Sequence, residues 1–251
     1  MSEQFEAQIA AFEAAGNTVV GRPKFVIGDC SFGECRSGSE VTFNEDVTLC
    51  GTQINFPLGG GKLILSRNVR LFAWIHVGPK SVISIGEDTF FNRHCELHAW
   101  ESASIAIGCG CLLSNIRVRT SDMHSIYDLY SSERINIAKS VEIGNNVWIG
   151  EFTTVGKGSR IDDGSVVGAY AFVSGYVPPN CIAVGQPARV VKRGIRWDRS
   201  LDMSNPVAMP PTARPVKAMQ SATQSVERRS PWTFAKTRWE AIRLNLPMIR
   251  R

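Results

Sequence analysis

The chain has 251 residues, of which 43% are hydrophobic and 20% charged, enough apolar material for one substantial folded domain and too ordinary a balance for a mainly disordered chain. Its net charge of +5 is unevenly spread: residues 1–188 carry 14 Lys+Arg against 19 Asp+Glu and residues 189–251 carry 14 against 4, so the basic part is the tail and no nucleic-acid partner is expected of the body. The opening MSEQFEAQIA is acidic and lacks the apolar run of a signal peptide, no stretch approaches the roughly 18 apolar residues of a membrane span, and the seven cysteines form an odd set without CxxC spacing. These features predict a soluble, cytoplasmic protein with buried free thiols.

Taken in chain order, residues 1–20 place Phe5, Ile9 and Phe12 at helical spacing before Gly16-Asn17, which predicts a short cap helix. Residues 21–75 hold short β-type runs (KFVIG, VTFNEDVTLCG, KLILS) broken by Gly-rich turns such as Gly59-Gly60-Gly61. A six-residue spacing then emerges at Ile85, Phe91 and Leu97 and again at Ile107 and Leu113, lapses over 114–136, and returns without a break at Ile143, Ile149, Val155, Ile161, Val167 and Val173. Gly144, Gly150, Gly156 and Gly168 directly follow four of these. Residues 196–230, with Pro206, Pro210, Pro211 and Pro215, read as a linker. From Ser230-Pro231 to Pro247, Trp232, Ala235, Trp239, Ile242 and Leu246 fall on one helical face with Lys236, Arg238 and Arg243 elsewhere. The reading is a basic amphipathic helix over 231–251, expected to pack on its own or a neighbouring subunit, with weak peripheral membrane contact as the alternative.

A period of six matches neither the 3.6 of a helix nor a sustained alternation, but it suits short strands joined by tight turns. If each unit forms one side of a triangular coil, one residue per side points inward and stacks on its equivalent about 4.8 Å away in the next coil. Glycine at the corners would supply permissive φ values and β-branched residues would suit the flat sides. The pattern resembles that of the left-handed parallel β-helix. That resemblance implies the handedness, eighteen residues per coil and an all-β domain over 21–195 with the 114–136 interruption as its active-site loop.

Three segments carry candidate chemistry: TSDMHSIYD (120–128) with Asp122 and His124, VEIGNNVWIG (141–150) with Trp148, and VVGAYAFVSGYVPPNCIAVGQPARVVK (166–192). Over about residues 75–195 the combination D-x-H, I-G-x-x-V-W-I-G, V-G-A, V-P-P-N and G-Q-P-A-R resembles the hexapeptide-repeat O-acetyltransferases. The likeness is to galactoside and maltose acetyltransferases and more closely to sialic acid and capsular-polysaccharide O-acetyltransferases. It implies a homotrimer with sites between neighbouring coils, acetyl-coenzyme A as donor and a carbohydrate acceptor. His124 is then the general base, and Trp148 borders the donor–acceptor tunnel. Gly150, Ala169, Ser174 and Gly175 make backbone contacts along the pantetheine arm, and Arg189 and Lys192 lie near the nucleotide phosphates. The chain departs from the family where T-K-D usually precedes V-P-P; here Ser174-Gly175-Tyr176 stands instead, without the lysine.

The chemistry is consistent with the resemblance. A sugar hydroxyl is a weak nucleophile that must lose its proton as it attacks, and histidine, ordinarily titrating near 6.5, suits that task. A thioester is already activated, so no covalent nucleophile is required, and a backbone N–H would serve the developing oxyanion. Asp122 either orients the His124 ring, binds acceptor or shapes the loop through an Asx turn. Asn92, in FFNRHCEL, occupies the region where related sugar acetyltransferases place an acceptor-binding asparagine.

Rival readings stay open at this point. His76 and His94 are eighteen residues apart and would stack in an uninterrupted coil, with His98 nearby, a set resembling the zinc site of β-helix carbonic anhydrases. A non-catalytic assembly platform would keep the repeats without the site. No metal is expected on the acetyltransferase reading.

Overall fold

The structure, a computed structural model, describes residues 3–201. Helix α1 (Glu3–Ala14) buries Phe5, Ile9 and Phe12 and ends at Gly16, whose φ of +84° only glycine adopts freely. A free helix of this length is marginal, so packing holds it; the Phe12 ring stacks 4.5 Å from that of Phe32 in the first coil.

From there the chain winds as a left-handed parallel β-helix of seven full coils. The first three are β1 (Thr18–Val20), β2 (Phe25–Ile27), β3 (Ser31–Cys35); β4 (Glu40–Phe43), β5 (Thr48–Cys50), β6 (Gln53–Phe56); and β7 (Lys62–Leu65), β8 (Arg70–Leu71), β9 (Ala73–Val77). Two more follow as β10 (Val82–Ile85), β11 (Phe90–Phe91), β12 (Cys95–Ala99) and β13 (Ile105–Ile107), β14 (Leu112–Leu113), β15 (Arg117–Arg119). After an excursion over residues 120–140 come β16 (Val141–Ile143), β17 (Trp148–Ile149), β18 (Thr154–Val155) and β19 (Arg160–Ile161), β20 (Val166–Val167), β21 (Phe172–Val173). A partial eighth coil, β22 (Tyr176–Val177) and β23 (Cys181–Val184), ends in β24 (Arg189–Arg193), which folds back antiparallel on β23.

Every third strand pairs in parallel, so the strands beginning with β1, β2 and β3 form first, second and third faces of eight, nine and seven strands. The repeat read from the sequence is the core: Ile143, Ile149, Val155, Ile161, Val167 and Val173 are all buried, as are Ile85, Phe91, Leu97, Ile107 and Leu113. Each buried aliphatic side chain contributes roughly 1.5–3 kcal/mol relative to exposure. All seven cysteines are free thiols, but Cys109 is exposed and Cys35 and Cys50 half-buried; burial pushes the Cys95 thiol up to about 12 and Cys111 to about 11.

Several expectations need correction. The coil of eighteen residues holds only between the sixth and seventh coils, where Glu142 pairs with Arg160, Trp148 with Val166 and Thr154 with Phe172; upstream, Thr18 pairs with Glu40, Glu40 with Lys62 and Ile83 with Ile105, a spacing of 22. The longer coils carry longer third-face strands, five residues in β9 and β12 against two in β18, which is why the six-residue rhythm breaks up before residue 141. His76 therefore stacks on His98, with ring centroids 4.6 Å apart, and not on His94, whose ring meets Phe72 and Trp74 edge-on. The stacked pair that the zinc reading took from the eighteen-residue spacing does not form.

The glycines after the core positions serve a purpose other than permissive φ. A Cβ on Gly144 would lie 2.8 Å from the Asp163 backbone N, and on Gly150 2.7 Å from that of Ala169, because successive corners stack in contact. Positive φ falls two residues later, as at Asn146 (φ 50°). The interruption begins later than 114, since Arg117–Arg119 still form β15. Residues 196–200, read as the start of a linker, pack against the solenoid; the remainder of that linker and the 231–251 helix lie outside the described residues. Among the described residues no helix is long and apolar enough to cross a membrane.

Candidate active site

The 120–140 excursion leaves the third-to-first corner between β15 and β16 and is pinned at its stem. Lys139 N–H donates to Thr120 O (3.0 Å), and the buried Thr120 hydroxyl accepts from Trp100 N–H (2.8 Å). Further out the loop is a short irregular hairpin: Ile135 N–H donates to Ile126 O (2.9 Å), Asp128 N–H to Glu133 O (2.8 Å), and Tyr127 bridges Arg134. Asp128 turns the tip by accepting from the N–H groups of Tyr130 and Ser131, an Asx-type motif.

A buried asparagine organises the functional end. Asn136, 7% exposed, donates through Nδ2 to Asp122 Oδ2 (2.9 Å) and His124 O (2.7 Å), and its Oδ1 accepts from Ile126 N–H (2.7 Å) and Arg134 Nε (3.3 Å). Lys157, one coil on at the same corner, donates to Asp122 Oδ2 (2.5 Å) and to Asn136 O (3.0 Å). Lys157 first, and Asn136 second, hold the Asp122 carboxyl below the usual aspartate range. Arg134 grips Glu101 with both guanidinium arms at 2.5 and 3.0 Å, and Glu101 in turn meets the Ser121 hydroxyl; both contacts, Arg134 the larger, keep Glu101 ionised.

His124 is thus fixed through its backbone while its imidazole stays exposed, with no hydrogen-bond partner among the described residues. The Asp122 carboxylate is occupied by the loop's own anchors and makes no hydrogen bond to the His124 ring. Around the histidine, the loop exposes Ile126, Tyr127, Leu129, Tyr130, Ile135 and Ile137, with Tyr130 95% exposed.

A second cluster occupies the second face and its corner with the third. Trp148, 42% exposed on β17, stands in register between Leu112 and Val166. It lines a groove of about 540 Å³ with Asn92, Gly150, Ala169, Phe152 and Tyr170. The last two are bulky residues at positive φ (60° and 58°), with rings stacked at 4.9 Å; such backbone is uncommon and marks a constrained corner. The Ala169 N–H donates to no acceptor among the described residues.

The sequence-derived candidates therefore fall in three places on one chain. Asn92, Trp148, Gly150 and Ala169 share the groove. His124 and Asp122, and two coils on Ser174 and Gly175, lie at the third-to-first corner. Arg189 and Lys192 are exposed on β24, which closes the second face. Where the family lysine is missing, Gly175 takes φ +152° with open space around it, and the Tyr176 hydroxyl donates to Asp162 (2.6 Å). Lys157 was missed by the sequence reading; its signal was a charged residue between Gly156 and Gly158 at the corner following Val155.

Comparison with known proteins agrees with this architecture. Residues 140–175 match the family described as bacterial transferase hexapeptide (six repeats). The chain is 31% identical over 137 residues to the polysialic acid O-acetyltransferase of Escherichia coli O1:K1 / APEC, a match covering 54% of this chain and 44% of that protein; it thus spans less than half the length of this curated relative. Among solved structures it is similar to the polysialic acid O-acetyltransferase OatWY, at 27% identity and a TM-score of 0.70 over 75% of this chain and 90% of that one. It is also similar to the polySia-specific acetyltransferase NeuO, at 26% and 0.62 over 76% and 88%. With its buried six-residue repeat and parallel three-faced coil, the chain has the left-handed β-helix fold of hexapeptide repeats and is similar in sequence and structure to polysialic acid O-acetyltransferases.

Proposed function

We propose that this protein transfers an acetyl group from acetyl-coenzyme A to a hydroxyl of a sugar or polysaccharide, with His124 as general base. The observation that carries the reading is the solvent-facing His124 imidazole on a loop whose backbone is locked by Asn136, at a level of the solenoid where the neighbouring corner forms the Trp148 groove. In the reaction the acceptor oxygen attacks the thioester carbonyl, the imidazole takes its proton, the C–S bond breaks as the C–O bond persists, and the proton passes to the departing thiolate. Trp148 and the corner at Gly150 and Ala169 would hold the donor's arm, with the Ala169 N–H as a backbone contact, and Arg189 and Lys192 would meet its phosphates. Asn92 lies in the same groove, in reach of an acceptor, and Asp122 serves by holding the loop on which His124 stands.

Because His124, Ser174 and Gly175 lie at a different corner from Trp148, Gly150 and Ala169, the complete site on this reading is shared by two copies in a homotrimer, the third-to-first corner of one facing the groove of the next. The apolar loop side chains from Ile126 to Ile137 are suited to that contact. Free thiols and this donor fit a cytoplasmic setting. The test is consumption of acetyl-coenzyme A across a panel of sugars and capsular oligosaccharides, with His124→Ala expected to lower kcat by roughly 10²–10⁴ while the assembly stays folded. Near-normal turnover in that variant would remove His124 from the reaction.

A further inference from the structure

After β24 the chain turns back along the first-to-second corner as a strap. Ile195 N–H donates to Asn180 O (3.0 Å), Trp197 Nε1–H to Asn146 O (2.6 Å), and Arg199 to Asp88 O (2.5 Å) and Cys111 O (3.1 Å). The Arg199 guanidinium also covers the Phe90 ring at 4.5 Å. The strap thus runs from the eighth coil to the fourth and is fastened at both ends. Between the fastenings, Trp197 sits level with Trp148, their ring centroids 6.0 Å apart at 44°.

A half-exposed tryptophan on a flat β-face has strand neighbours above and below, here Leu112 and Val166, but these leave the ring free to swing sideways across the face. Phe152 stands at the corner on one side of Trp148; Trp197 stands on the other, on the side of the first-to-second corner. The Trp197 ring is itself immobilised by its hydrogen bond to Asn146 O. We infer that Trp197 is a positioning residue that sets the Trp148 indole for the donor, an inference that rests on the acetyl-coenzyme A reading of the groove. The effect acts through Trp148 and falls on the donor.

The experiment uses the full chain with Trp197→Ala, Trp197→Phe, Arg199→Gln and Trp148→Ala. Two indoles this close give an exciton couplet in the far-ultraviolet circular dichroism, which reports their relative placement independently of activity. Trp197→Ala is expected to abolish the couplet, as Trp148→Ala does, and to raise the KM for acetyl-coenzyme A by roughly 2- to 12-fold, the range of one aromatic contact, with the acceptor KM unchanged. Trp197→Phe, which keeps a ring beside Trp148, should restore most of the donor KM; Arg199→Gln, which frees one end of the strap, should weaken both the couplet and donor binding. Unchanged donor KM after loss of the couplet overturns the inference. So does an equal loss for both substrates that accompanies a lower melting temperature and is shared by Trp197→Phe, since that marks a purely structural strap. Titration calorimetry separates the two levels: wild-type protein that binds no coenzyme A sinks the functional reading itself, whereas unaltered coenzyme A affinity in Trp197→Ala sinks only the role of Trp197.

Discussion

Replacing Asn136 with alanine isolates the device that holds His124. The substitution removes three hydrogen bonds of 2.7–2.9 Å, to Asp122, His124 O and Ile126 N–H, while Lys157 still reaches the carbonyl of residue 136. At roughly 1 kcal/mol net for each bond, the closed loop loses about 3 kcal/mol relative to open forms, or about 100-fold in their ratio. The coil ladder should not notice, because β13 pairs with β16 and β15 with β18 directly across the excursion. Hydrogen exchange is the assay: the amides of Ile126, Asp128 and Ile135 should lose up to about 100-fold protection while those of β16 and β17 keep theirs, with the melting temperature nearly unchanged. If the closed loop is the competent form, kcat/KM falls in step with the lost closed population. Full loop protection in an inactive variant, or normal turnover with an unprotected loop, would refute the reasoning.

Three further outcomes are expected. Burial first, then the neighbouring His76 and Arg119, lowers the His98 pKa to about 4, and burial lowers His76 as well. Such a group contributes its full stability above the unfolded value of about 6.5 and loses it as pH falls toward the folded one. Stability should therefore drop between about pH 6.5 and 4, by at most about 1.4 kcal/mol per pH unit for His98, lowering the melting temperature with it, and His98→Gln should flatten the slope; parallel slopes would exclude the pair as its source. Gly144→Ala, whose Cβ collides with Asp163 Oδ1 and lies 2.8 Å from its backbone N, should cost about 1–3 kcal/mol, whereas Gly156→Ala, with no neighbour closer than 3.4 Å, should be mild; equal melting temperatures would contradict the stacked-corner account. Lys157→Met removes the main partner of Asp122, so the loss of loop protection relative to wild type should be largest near pH 7 and should shrink as pH falls below the ordinary aspartate value of about 3.9; a deficit independent of pH would assign Lys157 to Asn136 O alone.

The inward stack was legible because it depends on one aliphatic residue per side, and Ile143 to Val173 announce themselves by spacing alone. Coil length was not legible upstream, because residues added within a β-helix side, as in AWIHV and CELHA, keep their own in–out alternation and leave no local mark. The motif histidine and tryptophan could be found in the sequence; what holds them could not. Asn136 and Lys157 meet Asp122 across 14 and 35 residues, and Trp197 reaches Asn146 across 51, separations at which no short pattern exists to be read. The corner glycines were identified correctly but for the wrong cause, since sequence shows that a side chain is missing and not what occupies its place.

The two ends of the solenoid bear on how copies can meet. A parallel coil is a template for another coil, and a bare terminal edge invites end-to-end addition without limit. At the N-terminal end α1 packs on β1 and β3, and at the other β24 covers β23 in the antiparallel sense that no further parallel rung can extend. Coil-on-coil addition is thereby hindered over β1 and β3 at the N-terminal end and along the second face at the other.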